Sequence, residues 1–124
     1  MIKNKVDERK RKRAKIKMRI RKKVHGTSER PRLVVNKTRK YIYAQAIDDD
    51  KGNTIAFVSS LEKEIRGEKL SAKNVEIAKK VGETIAEKLI KQGVKKVVFD
   101  RNGYIYHGKI KAIADGAREK GLKF

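Results

Sequence analysis

RLVVNKTRKYIYAQAIDDDKGNTIAFVSS, residues 32–60, is the stretch that decides the fold. Three short runs rich in β-branched and aromatic residues are separated by two turn signals. In RLVVNK (32–37), Leu33 and Val35 share one face while Arg32, Val34 and Asn36 share the other, as the two-residue period of a strand requires. TRK (38–40) makes a tight basic turn. YIYAQAIDD (41–49) alternates again, with Tyr41, Tyr43, Gln45 and Ile47 on one side and Ile42, Ala44 and Ala46 on the other. DKGN (50–53) reads as a hairpin-type turn, and TIAFVSS (54–60) closes a three-stranded antiparallel meander.

Towards the C-terminus, LEKEIRGEKL (61–70) has no clear period and reads as a loop or a short helical turn. From about Asn74 to Gln92 the residues Ile77, Ala78, Val81, Ile85, Ala86 and Leu89 recur at three- and four-residue steps, which predicts a helix. Ser71 or Asn74 can cap its start, and Gly93 can end it in the left-handed conformation. Gly82, inside that helix, costs about 1 kcal/mol relative to Ala and is read as letting the helix lie close against the sheet. VKKVVFD (94–100) carries the apolar run of a strand buried on both faces. A strand, a crossover helix and a further strand predict a parallel pairing with a right-handed connection. The last helix starts near Gly108 or Lys109, lines its inner face with Ile110, Ile113, Ala114 and Ala117, and ends at Gly121. The expected fold class is therefore α/β: a mixed sheet of about four strands, three antiparallel plus one parallel, packed with two main helices on at least one face.

Towards the N-terminus the chain changes character. HGTSERP is a linker in which Gly26 and small polar residues give way to Pro31, which pushes Arg30 towards extended geometry. Before it, residues 1–26 form a basic arm, leaving 27–124 as the globular domain. The first half of the arm has too little apolar surface to fold by itself, so it is expected to be disordered without a partner. Further on, Ile16, Ile20 and Val24 make a thin apolar stripe on a basic helix that can dock one edge on the domain.

The 124 residues carry 35 Lys+Arg against 15 Asp+Glu, a net charge of +20. Residues 1–40 hold 18 Lys+Arg and 3 Asp+Glu, so three quarters of the excess lies in the first third of the chain. So large a charge repels itself and becomes tolerable when a polyanion neutralises it. Arg9, Arg11, Arg13 and Arg19, with Arg21, Lys22 and Lys23, are the arm's candidate phosphate contacts. No stretch approaches the roughly 20 apolar residues that span a bilayer, and the N-terminus lacks the apolar core of a signal peptide. With no cysteine there is no disulfide framework and no thiolate metal site. An intracellular nucleic-acid partner is the simplest expectation, with no membrane and no small-molecule substrate.

Little in the chain suits catalysis. His25 and His107 are the only histidines, and His25 has no predicted carboxylate beside it. Asp48, Asp49 and Asp50 lack the alternate spacing of a calcium loop. They read as a solvated turn whose charge points it away from RNA. Asp100 ends a strand, yet no Ser or Cys nucleophile and no second carboxylate lie nearby in sequence. It reads as an acceptor for backbone N–H groups or a partner for a neighbour such as Arg101. The expectation is no enzyme, no cofactor and no metal.

FDRNGYIYHGK (99–109) suits gripping better. Arg101, His107 and Lys109 supply donors for phosphate or base edges, and Tyr104 and Tyr106 supply flat faces for unpaired bases. If the segment is extended, the two tyrosines point the same way and are buried or exposed together. Gly108 precedes a helix whose free N–H groups favour a phosphate. Around the first hairpin, Arg30, Arg32, Lys37, Arg39 and Lys40 are interleaved with Tyr41 and Tyr43. Basic side chains mixed with aromatics suit irregular RNA, and no helix-turn-helix, zinc finger or leucine zipper is present.

ERPRL, IYAQ, FDR-x-GY-x-YHG and ADGAREKGL occur together and in order over roughly residues 19–124. In these motifs the chain resembles the bacterial large-subunit ribosomal protein eighteen family, whose members bind 5S rRNA. The resemblance implies a place in the central protuberance of the large subunit, in the cytoplasm. There the chain would attach 5S rRNA to the large-subunit rRNA beside other 5S-associated ribosomal proteins. It also implies a mixed sheet related in outline to the ribonuclease H arrangement. The alternatives are a nuclease of that type, against which stands the lack of a carboxylate in RLVVNK, and a sequence-indifferent DNA-compacting protein. Asn36 stands where relatives often carry an aromatic or an imidazole.

Overall fold

The structure is a computed structural model that describes residues 5–38, 41–62, 65 and 74–124. Residues 1–4, 39–40 and nearly all of 63–73 lie outside the described residues, and with them Arg39, Lys40, most of the turn expected at 38–40 and the alternative cap Ser71.

The elements run α1 (Lys5–Lys23), β1 (Arg32–Lys37), β2 (Ile42–Asp48), β3 (Asn53–Ser59), α2 (Val75–Lys91), β4 (Val98–Asp100) and α3 (Lys109–Glu119). The sheet order is β3-β2-β1-β4, with β1, β2 and β3 antiparallel and β4 parallel to β1. This is the α/β class with the mixed four-stranded sheet that the strand periodicities predict. The crossover from β3 through α2 does not return to a neighbour of β3. It passes β2 and β1 and adds β4 to the far edge, pairing Leu33 with Phe99 and Val34 with Asp100.

That placement corrects the reading of VKKVVFD. Only Val98–Asp100 enter the ladder, and as an edge strand β4 leaves Val98 and Phe99 half-buried while Val97 and Asp100 are covered. The tail supports it from outside. Val97 N–H donates to the Lys123 carbonyl (3.1 Å), and Phe124 stacks on Phe99 with centroids 5.5 Å apart.

The inner face of the sheet carries Leu33 and Val35 of β1, Ile42 and Ala44 of β2, and Val58 of β3, all fully buried. They meet Ile77, Val81, Ile85 and Leu89 of α2 and Ile110 and Ile113 of α3 in one core. Between β2 and β3 the register slips by one residue after Ala46, so Ile55 is an extra residue in a bulge. Asn74 caps α2 by accepting from Ile77 N–H (2.8 Å), and Gly93 follows its end at φ +85°.

Gly82 does not approach the sheet. A Cβ there would overlap the carbonyl oxygen of Ile113, and one on Gly116 would overlap that of Lys79. The two glycines bring α2 and α3 backbone to backbone, the sheet being covered instead by the larger side chains on either side of them. A methyl group at either position must part the helices, and overpacking of this kind costs about 1–3 kcal/mol or more. Gly82→Ala is expected to lower stability by at least that amount in urea unfolding. Gly93→Ala, whose Cβ would meet nothing within 4 Å, is expected to cost only the roughly 1–2 kcal/mol of a left-handed backbone.

Candidate nucleic-acid interface

The arm's helix spans Lys5–Lys23 because Lys, Arg and Ala are good helix formers and no glycine interrupts them before Gly26. Repulsion between its like charges works against it. The helix is held by docking, along an edge where Arg13, Ile16, Ile20 and Val24 are half-buried. At one end Arg13 donates from Nε to the Asn102 carbonyl (3.2 Å) and lays its guanidinium 3.9 Å over the centre of the Tyr104 ring. At the other end Arg21 reaches Asp49 Oδ2 at 3.3 Å.

Asn102 and Gly103 form the turn that receives α1. Asn102 adopts φ +55° and Gly103 φ +77°. A side chain on Gly103 would crowd Arg13 and Lys17. Asn102 is buried, donates from Nδ2 to the Val35 carbonyl (3.0 Å), and donates its own N–H to Asp100 Oδ1 (2.8 Å). The Asn-Gly pair is a turn signal readable in the sequence, but its part in seating the arm is not.

Arg32, a candidate RNA contact in the sequence, is engaged inside the protein. Its Nε and Nη2 hold Asp49 at 2.9 and 3.1 Å, its Nη1 holds Asp100 at 2.8 Å, and its side chain is 11 % exposed. Burial alone would lower its pKa, but the hydrogen bonds it donates to the two carboxylates, with their charge, outweigh this and raise it. The same bonds from Arg32 are the largest influence on Asp49, drawing its carboxyl far below the usual range against the opposing effect of burial, helped by the Gly26 N–H at 2.8 Å.

Of the three aspartates only Asp50 is therefore solvated as the turn reading expects, while Asp48 and Asp49 are drawn inward. Asp48 is 1 % exposed and closes the hairpin by accepting from the N–H groups of Asp50 and Lys51. Asp49 gathers Arg32, Arg21 and Gly26. Asp50 lies 2.6 Å from His25 Nε2, so His25 does have a carboxylate beside it. Asp100 pairs with Arg32, not Arg101, whose Nη1 donates to the Tyr104 carbonyl (2.8 Å). Among the described residues no three His, Asp or Glu side chains gather as a metal site.

The segment 101–108 is a series of turns, not an extended strand, so its tyrosines part company. Tyr104 turns towards β1, donating from its hydroxyl to Asn36 Oδ1 at 3.0 Å. That bond gives Asn36 a part in holding the turn against β1. Tyr106, 39 % exposed, packs edge-on against Phe99 and receives a hydrogen bond from Arg118 (3.0 Å).

On the sheet face turned away from α2 and α3, Tyr41, Tyr43 and Phe57 form a row with centroids 5.9 and 5.5 Å apart. Phe57, 46 % exposed, is absent from the sequence-based set. The alternation of Phe57 with the buried Ala56 and Val58 is the signal that marks it. Arg9, Arg11, Arg19, Lys22 and Lys23 point outward from α1 and meet no carboxylate among the described residues, and Arg30 is exposed on the linker. Lys37, His107 and Lys109 gather with Arg9 and Arg13 around a groove beside Tyr104.

Two outcomes follow from the Arg32 network. Removing one partner of a largely buried ion pair leaves the other uncompensated, at a cost of about 3–5 kcal/mol. Arg32→Ala is expected to lose that much in urea unfolding, and Arg32→Lys to recover little, since an ammonium cannot reproduce the fork that holds both carboxylates. Because the Asp49 pKa is depressed on folding, its stabilisation is complete above the unfolded value, about 4, and is lost as pH falls through the folded value. Asp49→Asn is expected to be less stable near neutrality and to lose stability less steeply below about pH 4, as unfolding midpoints measured against pH will register.

A family model for ribosomal L18 of archaea, bacteria, mitochondria and chloroplasts matches residues 7–124. The large ribosomal subunit protein uL18 of Dictyoglomus thermophilum is 63 % identical over 107 residues, covering 86 % of this chain and 88 % of its own. That of Pseudothermotoga lettingae is 52 % identical over 120 residues, covering 97 % and 98 %. That of Brachyspira hyodysenteriae is 58 % identical over 105 residues, covering 85 % and 86 %.

Proposed function

The chain belongs to the ribosomal L18 family of the large ribosomal subunit, and on that premise we propose that it binds 5S rRNA and helps attach it to the large-subunit rRNA. Residues 1–26 act as a cationic arm and 27–124 as the RNA-binding domain, with other 5S-associated ribosomal proteins as neighbours. The observation that carries the reading is the row of Tyr41, Tyr43 and the exposed Phe57 on the sheet face turned away from α2 and α3, in a chain of net charge +20. Stacking platforms beside concentrated cations suit irregular or single-stranded RNA, whose bases are free to lie on aromatic rings. A duplex-compacting protein has no use for such a row.

Cations and rings divide the work. Arg9, Arg11, Arg19, Lys22 and Lys23 supply phosphate contacts that are long-range and salt-sensitive. Arg13 and Arg21 hold the helix that presents them. Catalysis forms no part of this reading. Asp100, the best-placed carboxylate for it, has Oδ2 on Arg32 and Oδ1 on the Asn102 N–H.

Filter binding of 5S rRNA across a salt series tests the division. Replacing Arg19, Lys22 and Lys23 by Ala is expected to weaken binding and to flatten the slope of log affinity against log salt by about 0.7–0.9 for each phosphate that is no longer neutralised. Tyr41→Ala is expected to cost about 1–3 kcal/mol with the slope unchanged. Equal affinity for duplex DNA in competition would overturn the reading.

A further inference from the structure

The groove beside Tyr104 has a volume of about 550 Å³ and lies where α1, the 101–108 turns and the start of α3 meet. Pockets that hold small organic groups run to roughly 300–1,000 Å³. Its lining has two characters. Arg9 and Arg13 enter from α1, Lys37 from the end of β1, and His107 and Lys109 from the turn that opens α3. No carboxylate is among the described lining residues. The remaining wall is apolar, made by Tyr104, Ile105, Ile110 and Val75.

Ile105 is 80 % exposed and Val75 54 %. Single exposed apolar residues are ordinary on a protein surface, but these two frame a concave site whose other wall is cationic. A phosphate alone would use the cations and leave the apolar wall without purpose. An apolar protein segment would use that wall and leave the cations unmatched. A nucleotide uses both, with an apolar ring face at one end and a phosphate at the other. The start of α3 adds to the same field, having neither a side-chain cap nor an acidic residue in its first turn.

Resting on the RNA-binding reading above, we propose that this groove receives one nucleotide splayed out of the bound RNA. Its base packs on Ile105 and Val75, beside the Tyr104 ring that Arg13 already covers, and its phosphate lies among Arg9, His107 and Lys109. Extrusion costs little where a base is already unpaired, so the nucleotide comes from a loop or bulge and not from a continuous helix. The aromatic row on the sheet is a separate surface and binds other bases.

The test uses the full chain with 5S rRNA and, in a second arm, large-subunit rRNA. Ile105→Ala removes only solvent-facing atoms, and an unchanged unfolding midpoint will confirm that the fold is intact. Affinity for the RNA that supplies the nucleotide is expected to fall roughly tenfold with no change in salt slope. Dimethyl sulfate probing should find an unpaired base whose reactivity changes in the wild-type complex and reverts with Ile105→Ala. If Ile105→Ala binds both RNAs as tightly as wild type with the same footprint, the nucleotide assignment is wrong while the RNA-binding function stands. A flattened slope would also refute it, since the side chain would then be supporting phosphate contacts. Failure of the wild-type chain to bind either RNA at physiological salt would remove both readings.

Discussion

One guanidinium holds the molecule's parts in relation. Arg32 bridges Asp49, at the β2 turn, and Asp100, at the end of β4, with three hydrogen bonds of 2.8–3.1 Å. Through Asp49 it also orders the linker, where Gly26 exchanges hydrogen bonds with that residue, and the last turns of α1 through Arg21. Gly26 must be glycine because any side chain would collide with the Arg32 backbone and the Ile47 carbonyl. Through Asp100 the network orders Asn102, and Asn102 in turn seats Arg13. Planar, forked and always charged, a guanidinium is the group that can satisfy two carboxylates at once in a partly buried place.

The electrostatic design follows from that division. A few cations are committed to the interior, where carboxylates offset the cost of burial. Others pair with surface carboxylates, as Lys79 does with Glu119 and Lys120 with Glu87, while Arg9, Arg11, Arg19, Lys22 and Lys23 on α1 meet no carboxylate among the described residues. The acidic turn at Asp48–Asp50 is thereby part of the scaffold. Its charge is directed to Arg32, Arg21, His25 and its own backbone.

Much of the fold was legible in the sequence. The alternation in residues 32–60 marks three strands and the faces they bury, and the apolar spacing of 74–92 and 110–117 marks two helices. The candidate interface was legible only in part. Tyr41 and Tyr43 sit where alternation puts them; alternation also turns Phe57 outward, but only the pairing of β3 with β2 brings it into their row. Tyr104 and Tyr106 diverge because turns at Asn102, Gly103 and Gly108, all at positive φ, replace the extended chain that alternation assumes. Gly82 lies in the helix that the spacing predicts but faces α3 and not the sheet, since nothing local distinguishes a close approach to one from a close approach to the other.

The sequence alone determined what depends on near neighbours: the type of each element, the inward face of each strand and helix, and the concentration of positive charge in the arm. These follow from side-chain period and composition over spans of ten or twenty residues. Tertiary structure decided which charges remain available. The bonds that remove Arg32 from the surface join residues 17 and 68 positions apart, and the one that seats Arg13 on Asn102 joins residues 89 apart. A basic residue reads the same in a sequence whether it will meet a carboxylate or water. Only folding, by pairing β1 with β2 on one side and β4 on the other, supplies the partners that make the difference.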